Sequence, residues 1–392
     1  MGLRTIREIP LKDKRVLVRV DFNVPVDDEG RVTDDARIRA TLPTINYLLE
    51  QGAKVILMSH LGRPKGKVVE KLRMNDVARR LSELLGREVK KTDDCIGPEV
   101  EQAVSQLKPG DVLLLENLRF HPEEEANDRE FARKLASLGD VYVNDAFGTA
   151  HRAHASTAGI AEFLPAYAGF LMEKEVNALS GLLAAPERPF IAVLGGAKIS
   201  DKIGVLKNLA ERVNGFLFGG GMANTFLRAE GYSLGDSLVD EENIEFAREF
   251  LENSRKRGIE VELPVDLVIA KSPEDTETRV VAPNEVPEGW RALDIGPKTI
   301  ERFTQVIGNA KTVFWNGPLG LFEKDAFARG SEAIARALTR PGLVSVVGGG
   351  DSLAVLEKFG LAEKVTHAST GGGASLEFLE GRKLPGVAVL EK

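Results

Sequence analysis

Short, β-branched apolar runs alternating with amphipathic segments constrain this chain more than any other feature. From about residue 189 the runs are PFIAVLGG, NGFLFGGG, LPVDLVIA, KTVFWNGP, LVSVVGGGD and THASTGGG, separated by patterns such as IEFAREFLENSRKRG and DAFARGSEAIARALT. A strand that is apolar throughout is buried on both faces, as in a parallel sheet covered by helices, whereas a half-buried strand alternates. The first half repeats the pattern, with RVLVRVDFN, KVILMSHLG, DVLLLENLRF and DVYVNDAFG as strands and RIRATLPTINYLLEQG, MNDVARRLSELLG and NDREFARKLASLG as helices. Two α/β lobes are expected, each a doubly wound, Rossmann-like parallel sheet. Between them AGFLMEKEVNALSGLLAAPERP carries helical spacing at Leu171, Val176, Leu179 and Leu183 and breaks at Pro186 and Pro189. This reads as a connecting helix or hinge over 170–188, following an N-terminal domain at 1–169.

The 392 residues, 43% hydrophobic and 28% charged, suit two ordinary globular domains. A net charge of −7 gives no global attraction for nucleic acid or an anionic membrane, so any anion site is local. Cys95 is the only cysteine, which excludes an intrachain disulfide and a cysteine-rich zinc site. With no 18-residue apolar stretch and no signal-like start, a cytoplasmic protein is expected.

In open α/β sheets, ligands lie outside the carboxyl ends of the strands. In the second lobe those ends are glycines: Gly195-Gly196, Gly219 to Gly221, Gly348 to Gly350 and Gly371 to Gly373. Glycine lets backbone N–H groups come close to a ligand, as a phosphate-rich nucleotide requires. In the first lobe the ends carry Asp21 and Asn23, His60 and Arg63, Arg119, and His151-Arg152. Arginine's planar fork suits phosphate and carboxylate, so a small polyanion fits this rim.

Each piece has a plainer reading. Paired glycines are often only turns, and a single arginine is usually a surface residue, so the weight lies in the sets. No GxxxxGK[ST] and no GxGxxG after a first strand occur, which disfavours a P-loop and a dinucleotide site. GYSLG at 231–235 matches a nucleophile elbow but follows a helical segment, so Ser233 is read as a loop residue. His151 and His154 lack a third ligand at metal spacing, so each is read as a phosphate-facing or structural histidine. Asp351 in VVGGGDSLAVL either holds Mg²⁺ or caps a helix.

RVLVRVDFNVP, MSHLGRP, LLENLRFHPEEE, VNDAFGTAHRAHAST, LGGAKISDKI, GGGMANTFL, VFWNGPLGLFE, GGGDS and STGGGASLEFLEG closely resemble the motifs of the phosphoglycerate kinase family, in order and spacing, along the whole chain. Departures are mild: Ser352 where threonine is common, and Ile199-Ser200 between Lys198 and Lys202. The resemblance implies reversible, Mg²⁺-dependent phosphoryl transfer between 1,3-bisphosphoglycerate and ADP, giving 3-phosphoglycerate and ATP. It implies a phosphoglycerate site of Asp21, Asn23, Arg37, His60, Arg63, Arg119 and Arg152. It implies a nucleotide-binding domain at 189–373 using Lys202, Asn316, Glu323 and Gly349, Gly350, Asp351 and Ser352. There Glu323 would take the ribose, Asp351 the Mg²⁺, and Gly196, Gly220 and Leu293 the adenine. It also implies a mostly monomeric enzyme whose segment 374–392 folds back on the first domain.

A carboxylate nucleophile needs no general base, and none stands out. Transfer then depends on stabilising the migrating phosphoryl group, for which Lys198, Arg37 and the backbone N–H groups of Gly372 and Gly373 are the candidates. A lysine at a helix N-terminus costs roughly 0.3–1 kcal/mol unless something negative faces it. If Ser200 caps, Lys202 lies in the first turn facing a phosphate, on a helix pinned by Ile199, Ile203, Leu206, Leu209 and Val213. Ligands on different lobes imply a cleft and hinge closure before in-line transfer. A two-lobed solute-binding protein for a small phosphorylated acid and a nicotinamide-dependent dehydrogenase remain as the competing readings.

Overall fold

The computed structural model describes residues 2–392. The chain forms two compact units: one runs to Asn177 and takes back Lys383–Lys392, and the other is Ala178–Arg382. The division therefore falls inside the helix Phe170–Ala184, and residues 374–382 go with the second unit.

The first unit contains six parallel strands: β1 (Arg15–Arg19), β2 (Lys54–Met58), β3 (Val89–Lys91), β4 (Val112–Leu114), β5 (Val141–Asn144) and β6 (Ala166–Ala168), in the order β3-β4-β2-β1-β5-β6. Val16, Leu17, Val18, Ile56, Leu57 and Met58 have no exposure at all, so both faces of β1 and β2 are covered and their central positions are apolar. On one face Val16, Val18, Val55 and Leu57 pack with Ile38, Ile45 and Leu48 of the helix Ala36–Glu50 and with Val77 and Leu81 of Asn75–Leu85. The chain enters at β1, winds outward through β2, then crosses to β5 on the other side. The crevice between the carboxyl ends of β1 and β5 is the topological switch point where such sheets bind ligands.

The helix Phe170–Ala184 starts where Asp145, just past β5, accepts from the Leu171 and Met172 amides at 3.0 and 3.2 Å. Burial pushes the Asp145 carboxyl up to about 6, against the hydrogen bonds from Thr44 and these amides. The last ten residues lie along the same unit, with Gly386 N–H on the Ala150 carbonyl and Arg4 N–H on that of Leu390, both at 2.8 Å.

The second unit has a six-stranded parallel sheet of β7 (Phe190–Leu194), β8 (Gly215–Phe218), β9 (Glu260–Glu262), β13 (Thr312–Asn316), β14 (Val344–Gly348) and β15 (His367–Ala368). Its order is β15-β14-β13-β7-β8-β9, with the switch point between β7 and β13. Between β9 and β13 lies a separate antiparallel sheet of β10 (Leu267–Ala270), β11 (Arg279–Val281) and β12 (Arg291–Ile295), ordered β11-β10-β12. The run LPVDLVIA, expected in the parallel sheet, thus supplies β10 of this small sheet. Its Leu267 and Ile269 pack into a minor core with Leu227, Leu234, Val286 and Trp290. A four-residue apolar run does not reveal which sheet it joins.

Among the described residues, no helix is long and apolar enough to cross a membrane.

Candidate active site

The carboxyl edge of the first sheet gathers positive charge. Asp21 and Asn23 follow β1: Asp21 Oδ1 accepts from the Asn23 amide at 3.2 Å, and Asn23 Oδ1 accepts from the Gly62 amide at 2.8 Å, tying this turn to the one after β2. Arg37, in the first turn of Ala36–Glu50, pairs with Asp21 at 3.7 Å and donates to the Asn23 carbonyl. His60 follows β2 and is buried. Its pKa is held well below the usual imidazole value, first by burial and then by the nearby charges of Arg19 and Arg119, with His154 and Arg37 adding to them. Arg119 is mostly buried and lies 3.6 Å from Glu125. Arg63 and Arg152 are exposed. Arg152 belongs to the group through its field on His154, which burial, Arg119, Arg19 and His151 also act on and whose pKa falls to about 4.

One residue of this cluster is not singled out in the sequence. Arg19 is the last residue of β1, with no exposure, and its Nη2 donates to His60 Nδ1 at 2.9 Å. An arginine at a strand position that the apolar pattern marks as interior is the signal that could have found it. His154, expected to face a phosphate or to be structural, is buried beside the arginines.

The carboxyl edge of the second sheet surrounds a cavity of about 420 Å³. Gly196, Gly220, Leu293, Glu323 and Asp351 line it, with Leu238 and Leu321 among its apolar walls. Leu238 and Leu321 are two of the few large apolar side chains left open to solvent, at 51% and 37%. Gly220 has φ +64°, and a Cβ there would stand 2.9 Å from the carbonyl oxygens of Gly196 and Pro318, so only glycine fits this floor.

Lys202, Asn316, Gly349, Gly350 and Ser352 are not among the residues that line the cavity. Asn316 Nδ2 donates to the Gly348 carbonyl at 2.8 Å, joining the ends of β13 and β14. Ser352 is buried, its Oγ accepting from Gly317 N–H at 2.7 Å. Lys202 Nζ donates to the carbonyls of Gly195, after β7, and Asn316, ending β13, the latter at 3.1 Å. The ammonium therefore lies at the switch point, with two of its three protons used and one left for a ligand oxygen. Burial lowers its pKa to about 8, against the nearby Asp201 and Asp351.

The local fold differs from the expected first turn. Residues Ser200–Lys202 form a 3₁₀ turn, and Lys202 itself is the N-cap of the helix Ile203–Ala210, with no side-chain cap from Ser200. The tighter turn directs Lys202 inward, while Lys198 stays exposed in the entering loop. Ile199, Leu206, Leu209 and Val213 are buried and Ile203 half-buried.

Asp351 lies in the first turn of Gly350–Lys358, whose N-cap is Gly349 and which has no side-chain cap bond. Its carboxylate is thus not used as a cap; it is exposed on the cavity wall, a hard oxygen donor suited to Mg²⁺ shared with phosphate oxygens. Three metal-ligating side chains come together among the described residues only at Asp94, Cys95 and His121 of the first unit. There His121 Nε2 is 2.6 Å from Asp94 Oδ1, the Asp94 hydrogen bond lifts the imidazole pKa, and burial pushes the Cys95 thiol far up: a hydrogen-bonded pair beside a buried thiol. Gly372 has φ +52° and precedes the helix Gly373–Leu379, which Asn208 Nδ2 meets through the Leu379 carbonyl at 2.6 Å.

Arginine forks on one doubly wound sheet and a glycine-floored cavity with a buried lysine on another define an α/β phosphotransferase. Among known proteins, the family profile for phosphoglycerate kinase matches residues 6–382. Phosphoglycerate kinase of Moorella thermoacetica is 60% identical over 391 residues, covering 100% of this chain and 99% of its own length; that of Pelotomaculum thermopropionicum is 59% identical over 394 residues, covering 100% of each. The solved phosphoglycerate kinase of Coxiella burnetii superposes with a TM-score of 0.91 at 41% identity, covering 99% of both chains, and that of Pyrococcus horikoshii with 0.85 at 35%, covering 99% and 98%. The chain belongs to the phosphoglycerate kinase family.

Asp294, on the cavity wall, accepts from Ile295 N–H at 2.8 Å and Gly330 N–H at 3.0 Å, and burial raises its carboxyl from 3.8 to about 8. A carboxyl raised in this way binds a proton in the fold that the unfolded chain has already lost. Its stabilisation is complete below the unfolded pKa and disappears as pH rises through about 8. Both tryptophans, Trp290 and Trp315, are in the second unit, so their fluorescence reports its unfolding. Between about pH 6 and pH 9 the urea midpoint of the wild type should fall further than that of Asp294→Asn; parallel declines would contradict this.

Proposed function

We propose that the first unit binds the phosphoglycerate and the second the nucleotide, for reversible transfer of a phosphoryl group between 1,3-bisphosphoglycerate and ADP, giving 3-phosphoglycerate and ATP. The observation that carries this reading is the division of chemistry between the two sheets. Arg19, Arg37, Arg119 and His60 crowd one carboxyl edge, and a glycine-floored, partly apolar cavity together with Lys202 occupies the other.

On the phosphoglycerate side, Arg37, Arg63, Arg119 and Arg152 meet phosphate and carboxylate oxygens as charged forks, and His60, Asn23 and Asp21 orient the acid and its hydroxyl. On the nucleotide side, Leu293, Gly196 and Gly220 take the adenine, Glu323 the ribose hydroxyls, and Lys202 a phosphate oxygen. Asn316, Gly349, Gly350 and Ser352 hold the turns around the phosphates. Asp351 would hold Mg²⁺, which when bound neutralises charge on the nucleotide phosphates.

In the ATP-consuming direction, a carboxylate oxygen of 3-phosphoglycerate attacks the γ-phosphorus. The new O–P bond forms as the bond to the β–γ bridging oxygen breaks, and ADP leaves with that electron pair. The nucleophile is already ionised, so no proton is abstracted and no base is needed. Lys198, Arg37 and the amides of Gly372 and Gly373 stabilise the equatorial oxygens of the migrating group. Reacting atoms have to come within about 3–3.5 Å, which requires the two ligand-bearing units to close on each other when both ligands are bound. Small-angle scattering should register compaction with both ligands together and none with either alone; no compaction in the ternary complex would contradict closure.

The single cysteine is buried, which suits a reducing cytoplasm. The exposed large apolar side chains are few, Leu238 and Leu321 of them lining the nucleotide cavity, which supports a monomer.

Incubated with 3-phosphoglycerate and Mg·ATP, the protein should form an acyl phosphate that hydroxylamine traps. Lys198→Ala should lower the rate on the order of a hundredfold, with its melting temperature unchanged because Lys198 is exposed. Folded wild type that yields no trapped product would overturn the reading in favour of a solute-binding role.

A further inference from the structure

We propose that Glu124 and Ser156 are positioning residues for the phosphoglycerate site: acting through Arg19, they hold the His60 ring as a neutral donor with its proton on Nε2. The inference rests on reading the first-unit cluster as that site.

Arg19 is fully buried and its guanidinium is satisfied at three points. Nε donates to Ser156 Oγ at 2.8 Å, Nη1 to the Val20 carbonyl, and Nη2 meets His60 Nδ1 at 2.9 Å. A guanidinium offers only donors, so the imidazole nitrogen facing it has to present a lone pair. The proton of the neutral ring is therefore on Nε2. Burial and the fixed charges around the ring favour the same state: Arg19 from β1, Arg119 from beyond β4 and Arg37 from the helix Ala36–Glu50 all oppose a second proton on His60.

A buried guanidinium is tenable only beside a counter-charge. Glu124, also without exposure, supplies it through one hydroxyl. Ser156 Oγ accepts from Arg19 and donates to Glu124 Oε2 at 2.5 Å, while Glu124 Oε1 accepts from the Ser156 amide at 2.8 Å. The Glu124 carbonyl accepts from Ala155 N–H at 2.9 Å. Every proton in the line Glu124, Ser156, Arg19, His60 thus has a single direction. The line also joins β1 to the two loops that carry Arg119 and Arg152. Its consequence for binding is a directional N–H donor aimed by the scaffold, added to a cluster of fixed cations without adding another charge.

The test is histidine ¹⁵N NMR on the full-length wild type, Glu124→Gln and Ser156→Ala, with His60 assigned from His60→Gln, alongside titrations with 3-phosphoglycerate and with ATP. The expected wild-type ring is protonated at Nε2 only and does not titrate between about pH 6 and pH 8. In the variants the Nδ1–H or cationic form should become populated. The 3-phosphoglycerate Kd should weaken about tenfold, roughly the loss of one charged hydrogen bond, with the ATP Kd unchanged. A His60 that keeps its Nε2–H form in both folded variants would overturn the proposal. So would a wild-type ring that is cationic or Nδ1-protonated at neutral pH, a result that stands even if neither variant folds. Adding 3-phosphoglycerate to the wild type separates the two claims. A shift of the His60 resonances supports the site, whereas unmoved resonances beside saturable turnover would overturn the site assignment whatever the tautomer.

Discussion

A desolvated cation at the centre of each parallel sheet's carboxyl edge is the constraint around which both halves are arranged. In the first unit it is Arg19, paired in register with Asn144 across the β1–β5 switch point. In the second it is Lys202, bonded to carbonyls that close β7 and β13. Removing either charge from water is costly unless partners replace the hydration. The partners differ, and so does the chemistry. Arg19 is matched by Glu124 through Ser156, so its charge is neutralised internally and spent on orienting His60. Lys202 has mainly carbonyl dipoles, and burial lowers its pKa to about 8 against the nearby Asp201 and Asp351.

The same contrast explains the surroundings. Around Arg19 the loops supply more cations, which suits a small acid carrying several negative groups. Around Lys202 the turns are glycine, because the backbone itself has to approach the ligand; at Gly220 any side chain would strike the Gly196 and Pro318 carbonyls. Walls such as Leu238 and Leu321 leave apolar surface open on the cavity. A reaction whose nucleophile is already a carboxylate needs charge and position and no base, and the neutral His60 and His154 agree with that economy of protons.

The long central strands were legible because both faces of β1, β2, β7 and β13 are buried, leaving apolar residues at their central positions. The edge strands β3, β6 and β9 were not: VKK, AYA and EVE are three residues each and half-exposed in part, too short for any period to show. β10 was legible as a strand but not as a member of a second sheet. The glycine and arginine sets pointed to two kinds of ligand from sequence alone, and the family motifs named them. Hidden from sequence was everything that depends on which side chain turns inward. Lys202 points at carbonyls because its turn tightens to 3₁₀, and Asp351 is released from capping because Gly349 occupies that position. Glu124, in a run of three glutamates, differs from its neighbours only by being buried.

The most direct test of this division is hydrogen–deuterium exchange on the wild type with each ligand alone. 3-Phosphoglycerate should slow exchange in segments 19–23, 60–63, 117–124 and 150–157, and ADP with magnesium in 195–202, 218–224, 316–323 and 348–352. Protection of the first set by the nucleotide alone, or of the second by 3-phosphoglycerate alone, would contradict the account.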